Sequence, residues 1–341
     1  MFNIATPKKS RVTLQQVAEH AGVSRATASL IVRNSPSISE PTRKKVLESM
    51  NELGYVYDRI AANLRSQRST TMGIIITDIA NTFFADLFKG IQNELERDGY
   101  TGILGTTFDL EHKQERLIST MLEHRVGGII LVPVSGSGQE TVERLKKYDI
   151  PVVIAVRELQ TDDFDYVGAD YNLGSRMAIS HLIDKGHKRI AFIGGRMESA
   201  TWTERMRGYR EIHKERNLPV DESIILPGST TKNGGIETVQ TLLKQSSDKL
   251  PTAIFCFSDL VAFGVILGLR QAGLTPGKDI DVVGFDNVPE SEIVYPPMTT
   301  VSSFANLTGT EAAKLLHRRL TDRDAKRERV IIRPELIVRD L

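Results

Sequence analysis

The first regular pattern in the chain is that of a short amphipathic helix. Its apolar residues follow the i, i+3, i+4, i+7 spacing of one helical face: Leu14, Val17, Ala18 and Ala21. Thr13 and Gln16 stand three residues apart at the start of this face, the arrangement of a capping box. Gly22 follows the last apolar position and predicts the end of the helix.

Two further short helices are predicted after tight connections. Ser24 is placed to cap a helix over residues 25–32, separated from the first helix by only two residues. Ser39 is placed to cap a third helix, with Pro41 in its first turn. We expect the small core to be completed by Val46, Leu47, Met50, Leu53 and Tyr55. Two short helices joined by a tight, glycine-containing turn predict a helix-turn-helix.

From residue 72 the pattern changes to short apolar runs separated by amphipathic helices such as residues 84–98. The apolar runs cover residues 72–77, 102–105, 127–132, 151–155, 189–195, 253–257 and 280–285. Buried strands that alternate with helices predict doubly wound parallel sheets, here in two successive sets and therefore two lobes. The predicted fold class is α/β: a three-helix helix-turn-helix domain and a two-lobed sensor. Ligands in such sheets bind in the crevice at the carboxyl ends of the strands.

Length and charge support this division. A chain of 341 residues exceeds a single ordinary core. Residues 1–68 carry eleven basic and five acidic side chains, a formal charge of +6, so the remainder carries −5 of the total of +1. A basic head predicts a polyanionic partner, although a solvated basic tail would give the same count.

The compartment is suggested by what the sequence lacks. No apolar stretch is long enough to cross a bilayer, and residues 1–9 lack the apolar run of a secretory signal. Cys256 is the single cysteine, which excludes an intrachain disulfide and agrees with a reducing environment. We therefore expect a cytoplasmic protein without membrane contact.

The chain resembles the lactose/galactose repressor family. In the three helices the resemblance rests on residues 12–24, 42–46 and 53–55. It continues through the body at residues 78–84, 165–170, 186–191, 284–287 and 299–301, so it spans nearly the whole chain. Residues 156–157 and 204–205 are similar to the maltose-regulon branch of the family.

The resemblance implies a domain organisation with a periplasmic-binding-protein-like body. It implies a helix-turn-helix domain over residues 10–57, a hinge helix or linker over 58–70, and an effector-binding and dimerisation domain over 71–341. Each lobe is expected to be discontinuous, the N-lobe from about 71–169 and 300–323 and the C-lobe from about 170–299 and 324–341.

The second helix of a helix-turn-helix enters the major groove of DNA. Arg25 is suited to guanine or a phosphate, Thr27 and Ser29 to phosphates or base edges, and Ala26 and Leu30 to apolar contact with a thymine methyl group. The full set of predicted DNA-binding residues is Thr13, Ser24, Arg25, Ala26, Thr27, Ser29, Leu30, Arg33, Arg59 and Leu64.

The segment after these helices matches the hinge of the family. Residues 58–68 are too few for a stable isolated helix. Leu64 stands where the family has a leucine that wedges into the minor groove. The resemblance therefore implies that a homodimer binds a near-palindromic double-stranded operator, with the two hinges at its centre.

The position of each residue in the family pattern also implies a ligand site. Its expected members are Phe83, Phe84, Arg157, Trp202, Arg205, Ser258 and Asp286. Aromatic faces suit the apolar side of a sugar ring, an arginine supplies a fork of donors, and Asp286 can accept from a diol. The aspartate that the family often has after its fourth strand is absent from residues 154–157, and Thr230 replaces a common aromatic, so we expect Trp202 to supply stacking. Arg157 and Arg205 leave an anionic or phosphorylated ligand open.

The sequence thus predicts a sequence-specific transcriptional regulator, expected to be a repressor, whose operator affinity is controlled by a small molecule, expected to be a sugar or sugar derivative. Two alternatives stay open: a protein co-effector, and a solute-binding protein without a DNA role. An enzyme is not expected, because Thr141 stands where the dinucleotide motif beginning at residues 136–138 needs its last glycine. We expect no cofactor and no catalytic or metal-binding residues.

Overall fold

The computed structural model describes residues 12–32, 35–56, 69–244 and 250–339, which belong to two compact units, residues 1–68 and residues 69–341. The smaller unit contains the helices α1 (Leu14–Ala21), α2 (Arg25–Val32) and α3 (Glu40–Leu53). The predicted capping box of α1 is present: the Thr13 hydroxyl accepts from the Gln16 amide at 3.3 Å, and the Gln16 side chain accepts from the Thr13 amide at 2.8 Å. Gly22 ends α1 in the left-handed conformation at φ 63°.

The smaller unit differs from the prediction in one core residue, Leu47, and in the cap of α3. Its core consists of Val17, Ala18, Ala21, Ala28, Ile31 and Val46, with Tyr55 packed at its edge. Leu47 was expected in the core but is 51% exposed, because α3 turns Val46 and Ser49 inward instead. The buried Ser49 hydroxyl is satisfied by the Lys45 carbonyl at 2.9 Å. The Ser39 side chain makes no capping bond and pairs with the Thr42 hydroxyl.

The first lobe of the larger unit is built on a parallel six-stranded sheet in the order β11-β5-β4-β3-β1-β2. Its strands are β1 (Thr71–Ile76), β2 (Thr101–Thr106), β3 (Ile129–Leu131), β4 (Val152–Ala155), β5 (Asp165–Ala169) and β11 (Arg329–Ile332). Its helices are α4 (Thr82–Arg97), α5 (Glu111–Glu123), α6 (Gln139–Lys146) and α12 (Ala305–Thr321).

The second lobe is built on a second six-stranded sheet in the order β12-β10-β9-β8-β6-β7, parallel except for the β10–β12 pair. Its strands are β6 (Ile190–Ile193), β7 (Ile225–Leu226), β8 (Ala253–Cys256), β9 (Asp281–Asp286), β10 (Thr300–Ser302) and β12 (Glu335–Ile337). Its helices are α7 (Tyr171–Asp184), α8 (Ala200–Glu215), α9 (Lys232–Leu242), α10 (Asp259–Gln271) and α11 (Glu290–Ile293). The predicted α/β class with two parallel-sheet lobes is confirmed.

The chain passes between the two sheets three times: after β5, after β10 and after β11. Two of the predicted lobe boundaries need correction. Residues 300–302 were assigned to the N-lobe, but β10 pairs with β9 of the second sheet. Residues 329–332 were assigned to the C-lobe, but β11 pairs with β5 of the first sheet. Both strands are short, and the sequence carries no signal for the sheet that such a short strand joins.

Two glycines allow α4 and α12 to pack backbone against backbone. A Cβ atom at Gly90 would lie 2.0 Å from the Asn306 carbonyl oxygen, and one at Gly309 would lie 2.0 Å from the Leu87 carbonyl oxygen. Only residues without a side chain allow this approach. The contact ties α12, which comes late in the chain, to the helix that begins at the crevice between the lobes.

Bilayer-spanning helices are absent from the described part of the chain: none of its helices has the length and apolar character that a membrane crossing requires.

Candidate functional site

A cavity of about 280 Å³ lies between the two lobes of the larger unit. Its walls are formed by residues that follow the carboxyl ends of β1, β2, β4 and β5 of the first sheet, and of β6, β7, β8 and β9 of the second. Ligands bind at this edge of open parallel sheets. We call this cavity the cleft.

Arg205 of α8 is the most enclosed charge in the cleft. Its side chain is 3% exposed, and the guanidinium carbon lies 4.6, 4.5 and 3.9 Å from the ring centres of Tyr171, Phe257 and Phe285. One nitrogen donates to the Thr201 carbonyl at 3.2 Å. Aromatic faces on several sides fix the orientation of the planar group and attract its charge.

Asp286 faces Arg205 from the end of β9. Arg205 Nη2 lies 3.8 Å from Asp286 Oδ1, which is beyond hydrogen-bond distance. Burial raises the pKa of Asp286 to about 7, against the opposing effect of Arg205. Because the 3.8 Å gap leaves both groups without a direct bond to each other, a ligand hydroxyl can donate to the ionised carboxylate while a neighbouring oxygen of the ligand accepts from the guanidinium group.

Asp259 supports Asp286 from beneath. It is fully buried, and its two oxygens accept from the Val288 amide at 2.9 Å and the Thr300 hydroxyl at 2.5 Å. These bonds hold the turn in which Asp286 and Asn287 adopt φ values of 116° and 55°. Such conformations persist only where the surroundings enforce them. Asp259 is therefore a structural support, and it is not among the residues that line the cleft.

Arg157 lines the opposite wall, after β4, and is paired within its own lobe. It donates to Asp109 and, at 3.1 Å, to the Pro133 carbonyl. Asp109 also accepts from the amide and the hydroxyl of Ser135, each at 2.8 Å. Burial raises the pKa of Asp109, but Arg157 and Ser135 outweigh burial, so this pKa lies below its usual value. Arg196 of the second lobe approaches the same carboxylate at 3.5 Å.

Phe83 and Phe84 both line the cleft and both belong to the core behind it. Asn81 caps α4 by accepting from the Phe83 amide at 3.1 Å, which sets both rings at the first turn. The two rings meet edge to face with centres 5.0 Å apart. Ser258 also lines the cleft, and its hydroxyl caps α10 by accepting from the Val261 amide.

In the smaller unit, α2 presents the predicted reading positions away from the core. Ala28 and Ile31 are buried. Arg25, Ala26 and Leu30 are exposed, Leu30 at 37%. An exposed face of this kind on the second helix is what contact with the major groove requires.

Two further predicted DNA-binding residues shape the helix ends. The exposed hydroxyls of Thr13 and Ser24 cap α1 and α2, Ser24 by accepting from the Thr27 amide at 3.1 Å. Ser29 is half-buried on α2. Arg33, Arg59 and Leu64, with nearly all of the predicted hinge segment, lie outside the described residues.

Known protein families match both units of this chain. The sequence profile of bacterial regulatory proteins of the lacI family matches residues 13–58, and that of the periplasmic binding protein-like domain matches residues 179–340. Catabolite control protein A of Priestia megaterium is 39% identical over 307 residues, which cover 89% of this chain and 91% of that protein. The chain belongs to the lacI family of bacterial regulatory proteins.

Two further relatives are similar along almost the whole chain. The HTH-type transcriptional repressor PurR of Vibrio campbellii is 33% identical, covering 96% of this chain and 98% of its own length. The structure of a complex of the transcriptional regulator CelR with cellobiose superposes with a TM-score of 0.74 at 30% identity, covering 97% and 99% of the two chains. These relatives are named as regulators and not as enzymes.

The prediction of a DNA-binding transcriptional repressor controlled by a small-molecule effector is therefore confirmed at the level of the lacI family. Two of the predicted partners, operator DNA and a small-molecule effector, are those of this family. The second copy of the chain stays a prediction.

Trp202 does not line the cleft, although the sequence predicted that its ring stacks on the ligand there. Trp202 is 8% exposed and packs on Phe192, with ring centres 5.9 Å apart. It lies three residues before Arg205 and therefore on a similar side of α8, but its ring packs on Phe192 while the side chain of Arg205 lines the cleft. Thr230 does line the cleft.

Several cleft residues were not predicted: Asp78, Phe108, Asp109, Tyr171, Arg196 and Phe257. Asp109 lies shortly after β2, and Tyr171 begins the helix after β5. The rule that ligands bind at the carboxyl ends of parallel strands would have selected both positions. Asp109 supplies a carboxylate on the first lobe, which the segment after β4 lacks.

Proposed function

We propose that the cleft binds a neutral carbohydrate and that this binding controls operator affinity. The observation that carries the proposal is the pairing of Arg205 with Asp286 inside a ring of aromatic side chains. Vicinal hydroxyls match this arrangement, because one can donate to the carboxylate while the other accepts from the guanidinium. Phe83 and Phe84 offer apolar surface for the face of a sugar ring.

The balance of charge favours a neutral ligand over a phosphorylated one. Three carboxylates and three guanidinium groups line the cleft: Asp78, Asp109, Asp286, Arg157, Arg196 and Arg205. Arg157 is paired with Asp109, and Arg205 faces Asp286. A bound phosphate would have to displace these carboxylates from their arginines or lie beside them, and both cost free energy.

Coupling to DNA follows from the contribution of both lobes to one site. Asp109 and Phe84 belong to the first lobe, and Arg205 and Asp286 to the second. A ligand held by both lobes stabilises the arrangement of the lobes that fits it best. If this arrangement binds operator DNA more strongly or more weakly than the ligand-free one, ligand binding changes the operator affinity. We propose that residues 58–70 form the hinge that transmits this change, and that the protein acts in the cytoplasm, where operator DNA lies.

A screen of thermal unfolding tests the effector class. The full-length protein would be heated with monosaccharides, disaccharides, sugar phosphates, polyols and small carboxylates. A ligand at a hundred times its dissociation constant stabilises the folded state by about 2.7 kcal/mol. We expect a neutral sugar to raise the unfolding temperature, and Arg205→Ala to abolish the rise. A rise with sugar phosphates alone would contradict the proposal, and no rise with any compound would favour a protein co-effector.

A further inference from the structure

A second cavity of about 350 Å³ lies between the lobes, on the far side of Arg157 from the cleft. We call it the outer cavity. Its first-lobe wall follows β3 and β4, and its second-lobe wall is the segment that leads into α8. Its lining is mainly polar and includes Ser135, Ser137, Gln139, Glu158, Glu198 and Thr203. Arg157 is the one residue that lines both cavities in the described part of the chain.

The wall between the two cavities is about one side chain thick. On the first lobe it consists of Arg157, which donates to Asp109 of the cleft and to the Pro133 carbonyl of the outer cavity. On the second lobe the buried hydroxyl of Ser199, in the outer cavity, lies 2.9 Å from that of Thr201, in the cleft. A single layer of side chains therefore separates two spaces of similar size.

The backbone on which this wall is built is held in unusual conformations. Phe108, Asp109 and Val156 have φ values of 51°, 59° and 66°. The left-handed region is unfavourable for a β-branched residue such as valine. The Val156 carbonyl accepts from the Tyr166 hydroxyl at 3.2 Å, which helps to fix the turn before Arg157. The turn at Phe108 and Asp109 and the turn at Val156 thus fix the backbone on both sides of the Asp109–Arg157 pair.

We infer that Arg157, held by Asp109, sets the length of the ligand. The wall confines the ligand to the cleft, whose volume of about 280 Å³ lies at the small end of the range for ligand sites, roughly 300–1,000 Å³. Without the wall the space would about double, because the outer cavity adds about 350 Å³. This inference rests on the proposed carbohydrate function and adds that the effector is a single sugar ring.

The outer cavity has the chemistry to accept a second sugar ring once the wall is removed. Hydroxyls, amides and carboxylates line it, and such groups bind sugar hydroxyls. Gly136 of the first lobe donates to the Glu198 carbonyl of the second at 3.3 Å, so both lobes border this space, as they border the cleft. A disaccharide that enters both cavities would therefore contact both lobes.

The test is the ratio of disaccharide to monosaccharide affinity in full-length protein. Glucose, cellobiose, galactose and lactose would be titrated by calorimetry into the wild type and into two variants, Arg157→Ser and D109N/R157S. The double variant removes the carboxylate that loses its arginine, so it keeps the test possible if Arg157→Ser alone fails to fold. Arg144→Ser is the matched control, because Arg144 also pairs with a carboxylate of the first lobe, Glu115, but lines neither cavity. We expect the ratio to rise at least tenfold when Arg157 is removed and to stay within threefold in the control.

Two outcomes would overturn the inference. One is a ratio that stays constant in both variants that lack Arg157, and the other is a wild-type protein that binds a disaccharide as tightly as the matching monosaccharide. If no variant binds any of the four sugars and the thermal screen finds no other neutral sugar, both the carbohydrate proposal and the inference built on it are wrong. A wild type that binds glucose or galactose while the ratio does not respond contradicts the role of Arg157 alone.

Discussion

At the scale of single residues, the cleft places ionisable groups where their titration can be measured. Asp286 and Asp109 are both carboxylates at the ends of strands, yet their pKa values move in opposite directions. Burial dominates at Asp286, whereas arginine and serine donors dominate at Asp109. Both residue types are known from the sequence. The opposite directions of their pKa shifts depend on which donors the folded chain brings within about 3 Å of each carboxylate.

Replacement of Asp286 by asparagine should change the pH dependence of stability. Because its pKa is raised to about 7, the folded protein keeps a proton that the unfolded chain releases, and the free energy of unfolding falls as the pH rises from about 4 to 7. Asp286→Asn removes this loss of stability. In urea unfolding at pH 8, the free energy of unfolding of the variant should exceed that of the wild type by on the order of 2 kcal/mol. The advantage should vanish near pH 4.

Asp109→Asn serves as the control with the opposite sign. The pKa of Asp109 is lowered, so its contribution to stability is present above the ordinary value and is lost as the pH falls. This variant should therefore be less stable than the wild type at pH 8. If both asparagine variants shift stability in the same direction, the assigned electrostatics are wrong.

A substitution of Arg25 tests whether the exposed face of α2 contacts DNA bases. Arg25→Ala should weaken binding to a specific duplex by about 1–3 kcal/mol, because a bidentate contact with guanine has this value. Lys44→Ala removes the same charge from an exposed position on α3, where Lys44 is 77% exposed. Fluorescence anisotropy at fixed salt would compare the two. Equal losses would mean that Arg25 contributes only its charge.

At the scale of elements, periodicity and capping residues predicted the four helices and seven strands named from the sequence to within a few residues. The box at Thr13 and Gln16 and the end at Gly22 were correct because both depend on bonds within one helical turn. The assignments of β10 and β11 were wrong because they depend on pairing between distant segments. Leu47 failed for a related reason, since adjacent apolar residues leave the direction of a helical face open to tertiary packing.

The contact between α4 and α12 provides a test at this scale. Gly309→Ala would place a methyl carbon 2.0 Å from the Leu87 carbonyl oxygen, so the helices would have to separate. Overpacking of this kind costs about 1–3 kcal/mol. Lys314→Ala on the same helix removes an exposed pair with Glu311 and should cost well under 1 kcal/mol. Urea unfolding of both variants measures the difference, and equal values would show that the close approach is not required.

At the scale of the whole molecule, the sequence predicted a DNA-reading unit and a two-lobed sensor, and both follow from patterns that are local in the chain. The cleft was predicted less completely. Phe83, Phe84, Arg157, Arg205, Ser258 and Asp286 line it, but Trp202 does not, and Asp109 and Tyr171 were missed. A cleft between lobes is assembled from loops far apart in sequence, so its lining depends on the directions of side chains in the folded chain.

The measurement that tests the central claim most directly is operator affinity with and without the carbohydrate found by the thermal screen. A specific duplex would be selected from random DNA by the full-length protein, and its affinity measured by anisotropy at fixed salt. We predict that saturating sugar changes this affinity by about 5- to 150-fold, the usual range of coupling between two sites, and that Arg205→Ala binds the duplex without responding to the sugar. An operator affinity that is identical with and without saturating sugar would contradict the account.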